Sequence, residues 1–158
     1  MEYIKAKTEN AREIYNLVQN TITAIYPKYY PQEVVDFFCQ LHNEKNIITD
    51  IIDGTVGILI NNTQLIGTGS HKDNHITRVY IDPAFQGQGY GSYMMQILEN
   101  EIALQYDTVY LDASLPASHM YENRGYITTK HEKWKVENGV FLVYEVMQKR
   151  LSTISSSI

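Results

Sequence analysis

Cys39 is the only cysteine, so no intrachain disulfide can form, and a reducing compartment suits the chain. Stability must come from packing. Basic residues are also in deficit: 13 Lys and Arg against 18 Asp and Glu leave a net charge of −5. That balance argues against nucleic acid as a partner, because a phosphate backbone is usually met by a surplus of Lys and Arg. No apolar run reaches the roughly 20 residues that cross a bilayer, and Met1-Glu2-Tyr3-Ile4-Lys5 lacks the apolar region of a secretory signal. The expectation is a cytoplasmic protein without a membrane partner. Repeats, low-complexity stretches and linkers are missing too. The 158 residues therefore read as one domain over residues 1–149, large enough for a core without metal, and a short serine-rich tail over 150–158. What the chain has in excess is tyrosine, 13 residues, suited to packing and pocket lining.

Taken in order, Tyr3 to Lys7 reads as a strand, and Thr8 as the N-cap of a helix ending near Asn20, with Ala11, Ile14, Leu17 and Val18 on one face. An aromatic loop, Tyr26 to Pro31, leads into a second helix whose first residue is Pro31 and whose stripe is Val34, Phe37, Phe38 and Leu41. Cys39 on that helix reads as a core residue. In Ile47-Ile48-Thr49-Asp50-Ile51-Ile52 the β-branched residues favour strand, but the 47, 48, 51, 52 spacing is helical; Asn43 as cap and Gly54 beyond the end decide for helix. Three short strands follow at Thr55–Ile60, Gln64–His71 and His75–Asp82, closed by Pro83. Next come a helix carrying Met94, Ile97, Leu98 and Ile102, a strand at Thr108–Leu111 and a short helix at Pro116–Asn123. A hairpin ends the pattern, with arms Tyr126–Val136 and Val140–Met147 turned by Glu137-Asn138-Gly139. The order β-α-α-β-β-β-α-β-α-β-β, with two or three helices after the first strand, specifies an α+β fold. Its sheet should be mixed and mostly antiparallel, of six to seven strands flanked by helices, because only one β-α-β unit demands a parallel neighbour.

That unit holds the densest chemical signal, Gln86-Gly87-Gln88-Gly89-Tyr90-Gly91-Ser92, three glycines between a strand and a helix. The first turn of a helix offers unpaired N–H groups and partial positive charge, and glycine lets a phosphate approach the backbone. A nucleoside-triphosphate loop needs Lys-Ser or Lys-Thr after its last glycine, and Ser92-Tyr93 follows instead. A dinucleotide fingerprint has an acidic residue near the position of Asp112, but the antiparallel strands upstream argue against a doubly wound sheet.

The remaining pattern, Gln/Arg-x-x-Gly-x-Gly/Ala after Val79-Tyr80-Ile81-Asp82-Pro83, resembles the GCN5-related N-acetyltransferase (GNAT) family. A second block agrees, Tyr121-Glu122-Asn123-Arg124-Gly125-Tyr126, similar to that family's Tyr-Glu-x-x-Gly-aromatic segment, and the resemblance covers nearly the whole chain. It implies a GNAT fold and transfer of an acetyl group from acetyl-CoA to an amine, without metal. The implied cofactor contacts are the pyrophosphate on Gln86, Gly87, Gln88, Gly89, Tyr90, Gly91 and Ser92, and the pantetheine along Val79, Tyr80 and Ile81 in a wedge between that strand and Thr108–Leu111. A backbone amide near Val79 or Tyr80 would polarise the acetyl carbonyl. Tyr121 matches the tyrosine that protonates the departing thiolate, and His75 stands where the family often has a glutamate base. Ser114 replaces an asparagine that bonds the pantetheine, with one hydroxyl in place of an amide's donor and acceptor. Tyr26, Tyr29 and Tyr30 fall in a segment that flanks the acceptor, and Arg124 reads as an exposed helix-end charge. The amine itself is open, on a small molecule or on a protein. A non-catalytic acyl-CoA-binding module is the alternative, and a homodimer is compatible with either.

Overall fold

A computed structural model describes residues 1–152. Seven strands form one sheet: β1 Glu2–Lys5, β2 Val56–Asn61, β3 Gln64–Lys72, β4 His75–Ile81, β5 Thr108–Ala113, β6 Ile127–Lys135 and β7 Phe141–Arg150. Their spatial order is β1-β2-β3-β4-β5-β7-β6, antiparallel except for β4 beside β5. The helices are α1 Ala11–Ile25, α2 Gln32–Leu41, α3 Glu44–Ile52, α4 Tyr90–Ile102 and α5 Ser118–Asn123.

Alternation along the strands builds two apolar layers, since successive side chains leave a strand on opposite faces. Ile58 and Leu65 join α1 residues Ile14, Val18 and Ile22 and α3 residues Ile47 and Ile51 on one face. Their neighbours Leu59 and Ile66 join α4 residues Met94, Met95 and Leu98 on the other. The strand-forming composition of α3 is overridden by its helical spacing: the Asn43 side chain accepts the Asn46 N–H at 2.8 Å, and Gly54 closes the end at φ 77°.

Several boundaries move. The first helix runs five residues past Asn20, because Thr21 and Ile22 extend its buried stripe. Thr8 does not cap it; residues 8–10 form a 3-10 turn fixed by the Lys7 N–H on Asn10 Oδ1 at 2.8 Å. Pro31 is extended, at ψ 163°, and stands before the first helical residue of α2, not within it. Strand β7 continues to Arg150, after which Leu151 is buried and donates its N–H to the Asp107 carbonyl at 2.7 Å. The tail expected from residue 150 therefore begins as part of the core, and residues 153–158 lie outside the described chain. Cys39 is half-buried on α2, its thiol pushed up by burial and then by Asp36.

At the far edge of the sheet, β6 is exposed along almost its full length, Trp134 included. At the opposite edge the Tyr3 ring lies over Gly57, where an added Cβ would collide with it. Gly57→Val should therefore displace β1 and destabilise the fold by about 1–3 kcal/mol, measurable by urea unfolding.

One feature of the sheet positions the site. Strands β4 and β5 pair only at His75↔Tyr110 and Ile76↔Leu111. Beyond that they separate, and the β5-facing edge of β4 is unpaired from Thr77 to Ile81. A bulge sits at the same point: Ser70 pairs with Arg78 and His71 with Ile76, so Thr77 has no ladder partner on β3.

Candidate active site

Where the strands part, Asp82 and Pro83 turn the chain, with the Asp82 carboxylate accepting the Ala84 N–H at 2.9 Å. Residues 86–89 then lead into α4. Gly87 and Gly89 have φ of 76° and 89°, in a region that L side chains avoid, and a Cβ at either would meet no protein atom within 4 Å. Gly89 is the residue before the first turn of α4, whose amides lack intrahelical partners. The result is open space beside a glycine-rich helix N-terminus, a place suited to an anionic phosphate group.

A cavity of about 800 Å³ joins this space to the split between the strands and to the faces of α1–α3 beyond it. Of the residues expected from sequence, Val79, Tyr80, Ile81, Gln86, Gly87, Gly89, Gly91, Ser92, Ser114, Tyr121, His75, Tyr26 and Tyr29 line it. Gln88, Tyr90 and Tyr30 do not. Gln86 turns back on the strand, its Nε2 donating to the Ile81 carbonyl at 2.9 Å, and Tyr90 packs on Phe85 with ring centroids 6.3 Å apart. The Tyr30 hydroxyl instead accepts the Leu115 N–H at 2.7 Å, tying the α1–α2 connection to the loop after β5.

Near the middle of the cavity three tyrosines converge. The Tyr26 and Tyr80 hydroxyls are 3.2 Å apart. Burial raises the Tyr26 hydroxyl, an effect opposed by its Tyr80 and Ser114 neighbours. Tyr121 is pushed well above the ordinary phenol range by burial and then by Tyr26, so it keeps its proton at any physiological pH. At the paired end of the split, His75 stacks on Tyr110 with centroids 4.3 Å apart and planes within 5°, and its Nε2 lies 3.3 Å from Asp112 Oδ2.

The cavity wall formed by the ends of α2 and α3 and by β4 holds a polar cluster that sequence inspection missed. Arg78 has a side chain only 3% exposed. It donates from Nε to His42 Nδ1 at 3.1 Å, from Nη1 to Ser70 Oγ at 3.4 Å and from Nη2 to Asp50 Oδ2 at 3.0 Å. His42, Asp50 and Arg78 all line the cavity. A hydrogen bond into Nδ1 fixes the neutral tautomer with its proton on Nε2, so His42 is no base here. Burial first, and then the Arg78 charge, hold its pKa down at about 3. A depressed histidine pKa contributes stability above its unfolded value of about 6.5 and loses it as pH falls towards the folded value. Through His42, lowering the pH from 7 to 5 should cost on the order of 2 kcal/mol, partly offset by His71, whose pKa Glu101 raises. In urea unfolding at the two pH values, His42→Gln should show a smaller difference than wild type.

Arg124 also departs from expectation. It is mostly buried, donating from Nη2 to Glu99 Oε1 at 2.7 Å. Among the described residues no group of three or more His, Cys, Asp or Glu could hold a metal ion, and no helix is long and apolar enough to cross a membrane.

Comparison with known proteins bears on this geometry. A structure of a GCN5-related N-acetyltransferase from Rhodopseudomonas palustris superposes with a TM-score of 0.87 at 21% identity, covering 95% of each chain. The yncA structure from Salmonella typhimurium, which contains acetyl-CoA, gives 0.73 at 16% identity over 96% of this chain and 94% of its own. The PaiA N-acetyltransferase of Thermoplasma acidophilum, solved with coenzyme A, gives 0.69 at 14% identity over 94% and 98%. No curated protein sequence matches. At these identities the likeness establishes the fold. The family rests on the sequence model of the acetyltransferase (GNAT) domain, which matches residues 25–151. The chain belongs to the GNAT acetyltransferase family.

Proposed function

We propose that the protein transfers an acetyl group from acetyl-CoA to a primary amine, of a small molecule or a protein, by direct attack in a ternary complex. One observation carries this reading: a single cavity contains the glycine-rich turn, the unpaired edge of β4, Tyr121 and an aromatic wall. Donor and acceptor can therefore meet inside it. The amides of Gly87, Gly89, Gly91 and Ser92 hold the pyrophosphate, and the free edge at Val79–Ile81 bonds the pantetheine as a neighbouring strand would, with Ser114 adding a hydroxyl. Acetyl-CoA supplies the thioester; the chain supplies position and protons.

The amine must first lose a proton. His75, whose Nε2 lies 3.3 Å from Asp112 Oδ2, takes it directly or through water. The amine nitrogen then bonds to the acetyl carbon, a backbone amide near Val79 or Tyr80 polarises the carbonyl, and the carbon–sulfur bond breaks. Tyr121 donates its proton to the departing thiolate and is reprotonated, directly or through water, by the second proton that the nitrogen gives up as the amide forms. His75→Gln should lower kcat/KM by about tenfold or more at neutral pH, whereas an unaltered rate would leave water as the base.

Tyr26, Tyr29 and Phe38 give the acceptor side an aromatic surface beside the Arg78 cluster, which suits an amine with an apolar or cationic body. The decisive measurement is CoA release from acetyl-CoA and propionyl-CoA across a panel of amine classes. Release above the protein-free control supports catalysis. Tight acetyl-CoA binding with no release on any amine would instead identify an acyl-CoA-binding module.

A further inference from the structure

We propose that Glu99 is a positioning residue that holds Tyr121 against the acetyl-CoA cradle, an inference that rests on the role of Tyr121 given above. Glu99 lies in the last turn of α4 and is 3% exposed. Its carboxylate gathers three donors from three elements. Oε1 accepts from Arg124 Nη2 at 2.7 Å and from Lys149 Nζ at 3.3 Å, and Oε2 accepts from the Tyr126 hydroxyl at 2.8 Å.

Each of these partners leads towards the reacting end of the cavity. Tyr126 donates its backbone N–H to the Tyr121 carbonyl at 3.1 Å, and the two rings pack with centroids 5.8 Å apart. Anchoring the Tyr126 hydroxyl therefore fixes the surface on which Tyr121 rests. Arg124, at the end of α5, donates from Nη1 to the Ser92 carbonyl at 3.3 Å, in the first turn of α4 beside the glycines. Its buried Nε has no partner, so the guanidinium is held only through its Nη atoms. The Lys149 ammonium lies 5.7 Å from the centre of the Tyr126 ring and clamps it from β7. One carboxylate thus fixes α5, which carries the acid, to α4, which begins at the cradle.

Stability alone is a poor explanation for this arrangement. A buried ion cluster loses much of its Coulomb gain to desolvation, and apolar residues of similar volume often hold a core equally well. What the carboxylate adds is direction: it sets the position of α5 relative to α4, where the flexible Met120 side chain stands within van der Waals reach of a Cβ built on Gly91.

The test compares Glu99→Gln and Tyr126→Phe with wild type, the latter removing one hydroxyl and keeping the ring. The rate readout is CoA release with the best amine from the panel. Both variants should lose about tenfold in kcat, with the dissociation constant for CoA, measured by calorimetry, within about threefold of wild type. Adding Glu99→Gln to Tyr121→Phe should cost little more than Tyr121→Phe alone, because the two act as a unit. Independently of turnover, amide hydrogen exchange in the CoA complex should quicken over residues 118–126 in Glu99→Gln and stay unchanged over β1–β3. Additive rate losses, or unchanged exchange over 118–126, would overturn the proposal. A full rate in Tyr121→Phe itself would remove the mechanism on which it rests, and that result is read before Glu99 is touched.

Discussion

Tyr121→Phe is expected to lower kcat by about 100-fold or more while leaving acetyl-CoA affinity within about twofold of wild type. The substitution deletes a single oxygen from a buried ring whose packing on Tyr126 is unaffected, and no protein hydrogen bond to that oxygen exists among the described residues. Fold and donor binding have little to lose, whereas the departing thiolate loses its proton source. Because burial and Tyr26 hold the phenol well above its usual range, the wild-type rate should show no loss from ionisation of this group up to at least the ordinary tyrosine pKa of about 10. Steady-state CoA release and calorimetric titration with acetyl-CoA together separate the two effects. An unchanged kcat would remove Tyr121 from the mechanism, and a parallel loss of affinity would make it a wall of the cavity.

Gly89→Val should weaken CoA binding by about 100-fold or more. Two effects act at this position. The backbone has φ 89°, which costs an L residue about 1–2 kcal/mol and a β-branched one more. The space that a side chain would enter is free of protein atoms, so the new methyl groups would stand where the ligand's phosphates approach the amides. A control separates strain from occupancy. Gly139 in the hairpin turn has φ 71° and likewise nothing within 4 Å of a Cβ, so Gly139→Val carries comparable strain at a residue that does not line the cavity. It should lower the melting temperature and leave CoA affinity intact. Equal affinity losses in both variants, or none in Gly89→Val, would contradict the placement of the cradle.

The sequence made the cofactor side legible and left the acceptor side nearly blank. Gly87, Gly89 and Gly91 sit close together at a junction where helix geometry itself offers anion-binding groups, and Tyr121 sits in a block of recognisable spacing. Both signals are local. His42, Asp50, Ser70 and Arg78 come from four separate elements, and each has a bland local identity: a helix-end histidine, an exposed-looking helical aspartate, a serine and an arginine in strands. Nothing in plain alternation singles out Arg78, because the bulge at Thr77 resets the period of β4. Arg124 was misjudged for a related reason. Its position at a helix end suggested solvent, but its partner Glu99 is 25 residues earlier on a helix whose packing on α5 the sequence does not encode locally. The early end assigned to α1 reflects Thr21-Ile22-Thr23, whose poor helix propensity is outweighed by burial of the first two.

The exposure of β6 has a practical consequence for following the protein in solution. Trp134, the only tryptophan, is 58% exposed on that edge strand and absent from the cavity lining. Its fluorescence should already resemble that of a solvated indole in the native state, so it will change little on unfolding or on filling the cavity. The tyrosines are the informative chromophores. Tyr26, Tyr80 and Tyr121 are buried together at the centre of the cavity, and near-ultraviolet circular dichroism of their rings should report both ligand entry and loss of the core.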